Sequence, residues 1–408
     1  MGRIKLNAKY KPLWSSDSSL FIITGGRGSA KSFHVSDFCE NLTFEQGHTI
    51  LFTRYTLTSA HISIIPEFEE KIELEGHIPF FNINKTEIVN NRTQSNILFR
   101  GIRTGSGTQT ANLKSIQNLT TWVLDEAEEL TDENIFDKIN ESVRKKGIHN
   151  RVILVLNPPT KEHFIYKRFF QDCGVVDGWN GTKNGITYIH TTYLDNIHNL
   201  SQKFIDNAND LKEKYPEKYK HRMLGAFLDK AEGIIFENWK YGEFDESLPF
   251  GYGMDFGFFP DPDVVVKCAI DFKRKILYVK SVLKLNNAGT DKLAKEVITN
   301  CDVSKSVIAD CAENRLISDL KSKGVKNIQA VKKFGGSVLA GIKTMLDFEI
   351  IVDSESTGIG VELNNYAWSD KKNGVPIDAY NHNIDAIRYY VMTFVKSDKA
   401  APLKLHSR

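Results

Sequence analysis

Residues 21–33 read FIITGGRGSAKSF, and the reading of the whole chain turns on this stretch. An apolar run ends in glycines, and a lysine and a serine follow where a helix opens, which spells strand, turn, helix. Residues 25–32 fit G-x4-[GA]-K-[ST], with Ala30 where the strict pattern has its last glycine. In such a loop the backbone of Gly25, Gly26, Arg27, Gly28, Ser29 and Ala30 wraps phosphates, aided by the positive end of the helix that follows. Lys31 then reaches the outer phosphates of ATP, and Ser32 ligates Mg²⁺. Taken alone, the same residues also read as a glycine-rich turn with a chance Lys-Ser.

The stretch 120–130, TTWVLDEAEEL, supplies the second half of that test. Asp125 ends an apolar strand, where it would hold Mg²⁺ through water, and Glu126 beside it would polarise the attacking water. An acidic helix start gives the same letters. Two motifs in the right order, each after a strand, make the chain read as an ATPase. Arg54, just past another strand, is a candidate nucleotide contact. ILVLNPPT, residues 153–160, puts Asn157 beyond a buried strand, where it could sense the γ-phosphate; an Asn-Pro turn is the plain alternative. Arg27 and Arg144 are the candidate arginine fingers, acting in cis or from a neighbouring subunit. Arg144 is favoured, on a helix after the Asp-Glu pair.

Outward from these motifs, short buried strands at 20–24, 49–53, 122–124 and 152–156 interleave with helical patterns at 31–40, 58–75 and 132–145. That rhythm predicts a parallel sheet with helices on both faces. Residues 81–102 alternate as a hairpin with a polar turn at 90–94. From 161 to 242 the pattern becomes mainly helical and charged, with two helices broken at Pro216. At 408 residues the chain exceeds one ordinary core. The expected division is a P-loop ATPase domain at 1–170, a helical linker subdomain at 171–242, a second α/β domain at 243–396 and a tail at 397–408.

Charged residues make up 25% of the chain but nearly cancel, leaving +2, so any nucleic-acid surface must be a local patch. Cys39, Cys173, Cys268, Cys301 and Cys311 form no CxxC pair, which argues against structural zinc and for reduced thiols. No apolar run approaches the roughly 18 residues of a membrane span. The opening MGRIKLNAKYKPLW lacks the apolar core of a signal peptide. The expectation is a soluble intracellular protein without a membrane partner.

A second group of acids lies beyond residue 250. GYGMDFGFFPDPDVVV, residues 251–266, sets Asp255 in an apolar strand, where a charge is costly unless paired or bound to metal. SVIADCAENR, residues 306–315, closes a strand with Asp310, and YNHNIDAIRYYVMTFV, residues 380–395, carries His382 and Asp385 on one helical face. Strands at 253–255, 264–271 and 276–283, a helix at 291–299 and a strand at 306–309 follow the order of a ribonuclease-H-like sheet. There Asp255, Asp310 and Asp385 would converge, with His382 as a ligand or proton carrier. Carboxylates without thiolates suit Mg²⁺ or Mn²⁺, and two such ions could cut a phosphodiester. Read singly, Asp310 is a helix cap, and Asp385 and His382 are first-turn polar residues. Asp261, Asp263, Glu313 and Asp378 are reserves, and Lys371, Lys372, Asn373 and Gly374 suggest a basic hairpin tip that could track DNA phosphates.

GGRGSAKS, WVLDEAEEL, LNPP, GMDFG, IADCAENR and NHNIDAIRYY, in this order, resemble the large terminase subunit of tailed double-stranded DNA bacteriophages over essentially the whole chain. The resemblance implies a DNA-packaging motor: ATP hydrolysis would drive double-stranded DNA through a portal into the procapsid, and the nuclease would cut concatemeric DNA at the start and end. Lys31 and Ser32 would bind ATP-Mg, Asp125 would hold metal, Glu126 would be the base, and Asn157 would couple hydrolysis to movement. Asp255, Asp310, His382 and Asp385 would form the nuclease centre. The implied partners are DNA, a small terminase subunit and the portal protein. A homo-oligomeric ring would form there, from a chain that is a monomer alone, in the host cytoplasm and not in the mature virion. Two rivals stay open: a translocase whose nuclease-like half only binds DNA, and a transposase or recombinase with a regulatory ATPase.

Overall fold

The computed structural model describes residues 6–56, 64–103, 113, 116–257, 261–286, 288–369 and 374–395. The chain divides into two compact units, Met1–Asp229 and Lys230–Arg408.

In the first unit nine strands form one sheet: β1 (Leu20–Gly25), β2 (Thr49–Thr56), β3 (Phe81–Ile83), β4 (Glu87–Asn90), β5 (Asn96–Arg103), β6 (Thr121–Asp125), β7 (Arg151–Leu156), β8 (Gly181–Lys183) and β9 (Ile186–Thr191). Their order is β3-β4-β5-β2-β6-β7-β1-β9-β8. From β5 to β9 every pairing is parallel, and the antiparallel pairs β3–β4, β4–β5 and β8–β9 lie at the two edges. Alternate side chains enter opposite layers: Phe21, Ile23, Ile50, Phe52 and Val123 pack with helices α1 (Lys31–Leu42) and α2 (Ile65–Leu74), while Ile22, Leu51, Trp122 and Leu124 pack with α3 (Glu133–Asn140). Burial on both faces is why these strands read as unbroken apolar runs.

Two expectations need correction. Part of the region read as a helical linker is sheet: β9 pairs in parallel with β1, from Leu20↔Ile186 to Gly25↔Thr191. Its polar side chains escape the apolar rule by pairing across the fold, Thr187 with Ser18 and His190 with Thr24. The helices α4 (Gln202–Lys214) and α5 (Pro216–Arg222) follow, separated at Pro216. The last residues of that region, Trp239–Gly242, form strand β10 of the second unit. The helix expected to run to residue 145 stops at Asn140, and Arg144 lies in the loop beyond it.

The second unit joins β10 to β11 (Phe250–Asp255), β12 (Pro262–Asp271), β13 (Ile276–Asn286), β14 (Val307–Ala309), β15 (Ile328–Ala330) and β16 (Glu349–Asp353). The order is β10-β16-β13-β12-β11-β14-β15, with β11, β12 and β13 antiparallel and β14 parallel beside β11. Helix α6 (Thr290–Asn300) leads to β14, and the last described helix, α7 (His382–Phe394), crosses β11, β12 and β14. It lies so close that a Cβ at Gly253 would fall 1.8 Å from the Ala386 carbonyl oxygen, so only glycine fits that register. Among the described residues no helix is long and apolar enough to cross a membrane.

Candidate functional site

The first group of expected residues gathers at the carboxyl ends of β1, β2, β6 and β7, where open parallel sheets place their ligands. A cavity of about 420 Å³ there is lined by Gly26, Arg27, Gly28, Ser29, Ala30, Lys31, Ser32, Arg54, Asp125, Glu126, Glu128 and Asn157. Gly25 sits just behind as the last residue of β1.

The loop between β1 and α1 makes a tight turn. Ala30 occupies the left-handed region at φ 61°, ψ 28°, which costs an L-residue roughly 1–2 kcal/mol. A second strand of chain braces the loop from behind. Arg27 N donates to Arg222 O at 2.8 Å, a Cβ at Gly26 would fall 2.2 Å from Met223 O, and one at Gly225 would fall 2.6 Å from Gly25 Cα.

Lys31 Nζ folds back onto this loop and donates to Gly25 O at 2.7 Å, Gly26 O at 3.0 Å, Ser29 Oγ at 3.3 Å and Asn157 Oδ1 at 3.1 Å. Burial lowers its pKa to about 8, against the pull of Glu128 and Asp125. Ser32 Oγ donates to Asp125 Oδ1 at 3.1 Å. Asp125 Oδ2 accepts from Arg54 Nε at 2.8 Å and Nη2 at 2.6 Å. Burial works against the Arg54 charge, but Asp125 outweighs it and the guanidinium pKa is raised. Arg54 thus serves Asp125 first. Glu126 stands in the left-handed region at φ 55° with a 40% exposed side chain, 3.8 Å from Arg54 Nη1.

The two candidate fingers part company. Arg27 lines the cleft with an exposed side chain. Arg144 does not; it lines a separate hollow with Asn118, Ser142 and Lys146. One residue that motif reading left unused belongs to the cleft: Glu128 accepts from Asn157 Nδ2 at 3.0 Å. Burial pushes its carboxyl up to about 7.

In the second unit, Asp255 ends β11 and Asp310 follows β14, side by side in the sheet. Tyr389, one turn along α7 from Asp385, bridges them: its hydroxyl lies 3.2 Å from Asp255 Oδ1 and 3.3 Å from Asp310 Oδ2. His382 Nδ1 is 3.4 Å from Asp255 Oδ2, and that contact raises the imidazole pKa. Lys333 Nζ reaches Asp310 Oδ1 at 2.5 Å and, with Ala312 N–H, holds that carboxyl below its ordinary pKa despite burial. The cap reading of Asp310 is therefore also realised. Asp385 pairs with Arg388 at 2.9 Å; burial still raises its pKa, with Asp255 adding to the rise.

Of the reserves, Asp261 lies 3.6 Å from His382 Nε2, and Asp263 is buried, accepting from Gly257 N–H at 3.1 Å. Lys371, Lys372 and Asn373 lie outside the described residues. The donors (three carboxylates and an imidazole, no thiolate) fit a hard divalent cation. As described, no three of them close within 4.8 Å of one another; Tyr389, Lys333 and Arg388 bond to their oxygens.

A family model described as "Phage terminase large subunit" matches residues 17–226, just over half the chain. The chain belongs to the phage terminase large-subunit family. A second model, "Terminase RNAseH like domain", matches residues 255–393 of this terminase chain. The sheet orders agree with both: a P-loop ATPase fold, then a ribonuclease-H-like fold, the two domains of a DNA-packaging protein. The large terminase subunit of Bacillus phage SPP1 is 28% identical over 95% of this chain and 96% of its own length. The PBSX phage terminase large subunit of Bacillus subtilis strain 168 is 26% identical, over 92% and 90%. Among solved structures, the large terminase of a thermophilic bacteriophage in complex with ADP is 16% identical at a TM-score of 0.45, covering 96% of this chain and 99% of that one. That score is below 0.5, so the fold assignment rests on the family models and the sheet orders.

Proposed function

We propose that this chain is the motor and nuclease subunit of phage DNA packaging. ATP hydrolysis in the first unit drives double-stranded DNA through the portal into the procapsid, and a two-metal endonuclease in the second cuts concatemeric DNA when packaging begins and ends. The observation that carries this reading is the meeting of Lys31, Ser32, Asp125, Glu126 and Asn157 around one cleft at the ends of four parallel strands.

Lys31, now bonded to the loop's own carbonyls, turns its ammonium to the β- and γ-phosphates. Ser32 and Asp125 would hold Mg²⁺, which neutralises phosphate charge as the γ-phosphoryl leaves. Arg54 holds Asp125 in place with two hydrogen bonds, and Glu126, the more exposed acid, orients the attacking water. Asn157 reports on the γ-phosphate, and Arg27 is the cleft's own candidate finger.

In the second unit Asp255, Asp310 and Asp385 would hold two Mg²⁺ or Mn²⁺ ions, whose chemistry is to activate water and stabilise the leaving oxygen. His382, its pKa raised by Asp255, carries a proton. Lys333 releases Asp310 and is then free for DNA phosphates, while the buried Arg388 stays beside Asp385 and positions it. The partners are the duplex, a small terminase subunit and the portal, where copies of the chain form a ring in the host cytoplasm.

Plasmid DNA with Mn²⁺ tests the nuclease: Asp255→Ala and Asp310→Ala should abolish cleavage, and undiminished cutting by both would refute the assignment. Lys31→Ala should abolish ATP hydrolysis and leave Mn²⁺-dependent nicking intact. The reading of the second unit as a DNA-binding module without cleavage draws on Lys333 and Arg388 neutralising its acids. DNA binding with no cutting by the unaltered chain would favour it.

A further inference from the structure

The amide of Asn157 is held at both ends: Oδ1 accepts from Lys31 Nζ at 3.1 Å, and Nδ2 donates to Glu128 Oε1 at 3.0 Å. An amide can be turned end for end, and its two neighbours settle which way: the Lys31 ammonium only donates and takes the oxygen, and the ionised Glu128 takes the N–H. Together they select the orientation that shows an oxygen to Lys31. With Gly25 O and Gly26 O, that oxygen completes three strong acceptors for the three ammonium hydrogens, and Lys31 is parked against the loop.

Glu128 itself is placed at a cost. Its second oxygen, Oε2, is sealed from solvent with no hydrogen-bond partner among the described residues, and such a group costs about 1–3 kcal/mol. A carboxylate serving only packing would sit more cheaply as an apolar side chain.

We propose that Glu128 is a positioning residue of the ATPase site, acting through Asn157. When a nucleoside triphosphate draws Lys31 away, Asn157 loses one partner and keeps the other. The amide remains anchored beside the vacated spot, with its oxygen placed to accept from the attacking water. Without Glu128 the amide is free to turn, and Asn157 no longer presents a fixed acceptor to the attacking water. The loss belongs to turnover and not to binding, because Glu128 is not bonded to the loop.

The role rests on the ATPase reading, and one series separates the two. Steady-state ATP hydrolysis is measured on the full chain and on Glu128→Ala, Glu128→Gln, Asn157→Ala and Glu128→Ala/Asn157→Ala, each checked by thermal melting. Glu128→Ala should lower kcat about tenfold, the scale of one positioned hydrogen bond, with KM for ATP changed less than about threefold. Glu128→Gln, whose side-chain oxygen still accepts from Asn157, should regain most of that loss. The double variant should be no slower than Asn157→Ala alone.

Full kcat in Glu128→Ala would overturn the proposal, as would equal losses in Glu128→Gln and Glu128→Ala, which would mark an acid–base group. A further tenfold loss in the double variant would also overturn it. Absence of hydrolysis by the unaltered chain would instead sink the ATPase reading itself.

Discussion

Arg54→Ala removes the main partner of a carboxylate that is 3% exposed. In the intact protein Asp125 Oδ2 receives Nε and Nη2 of Arg54 at 2.8 and 2.6 Å, and among the described residues Oδ1 receives the Ser32 hydroxyl at 3.1 Å. The substitution strands a buried negative charge with one neutral donor. Breaking a buried pair from one side costs about 3–5 kcal/mol. In a folding unit the size of Met1–Asp229, each kcal/mol moves the melting temperature about 2–4 °C. The expected fall is on the order of 6–20 °C. Calorimetry of the full chain reads it, with the first unit's transition assigned by its rise on adding ADP. Adding Asp125→Asn to Arg54→Ala removes the stranded charge and should restore most of the stability, though not hydrolysis. A single variant melting within about 2 °C of the unaltered chain, or a double variant no better than the single, would refute the account.

Three further outcomes follow from other residues. Lys31 loses its proton near pH 8 in the folded chain rather than near 10.5, and phosphates favour the charged form. Nucleotide binding should therefore take up a proton in that window and weaken as pH rises through 8, measurable by titration calorimetry in buffers of different ionisation heat. Glu362, pushed up to about 7 by burial, keeps its proton in the fold after the unfolded chain has lost it, so its contribution is lost as pH rises from about 4.5 to 7. Glu362→Gln should melt higher than the unaltered chain at pH 8 and no higher at pH 4, provided the unpartnered Asn383 Oδ1 turns to accept from the new amide. Gly253→Ala should lower the second unit's melting temperature and abolish plasmid cleavage together, since the new methyl drives α7 off β11.

Strands buried on both faces announced themselves in the sequence because their composition has one cause, burial. The residues flanking them could be read for the same reason: Asp125 and Asp255 end such runs, Asn157 and Asp310 follow them directly, and Lys31 opens the helix after one. β9 was illegible because Thr187 and His190 are made buriable by Ser18 and Thr24, more than 160 positions away. Arg144 was misplaced because a charged pattern continued past Asn140 while the backbone stopped coiling. Tyr389 carried a usable signal, one helical turn from Asp385. Lys333 and Glu128 carried none, since each gains its meaning only from a partner brought beside it by the fold.

The contact between the phosphate loop and residues 222–225 is made of main chain on both sides, at glycines 25, 26 and 225. Side chains in a seam act as springs, because rotamers absorb small movements; the backbone approaches at Gly26 and Gly225 have no such slack. A movement of the loop therefore presses directly on the facing backbone. That segment ends only four residues before Asp229, the last residue of the first unit. The position of the phosphate loop is therefore set in part by the segment that closes the first unit.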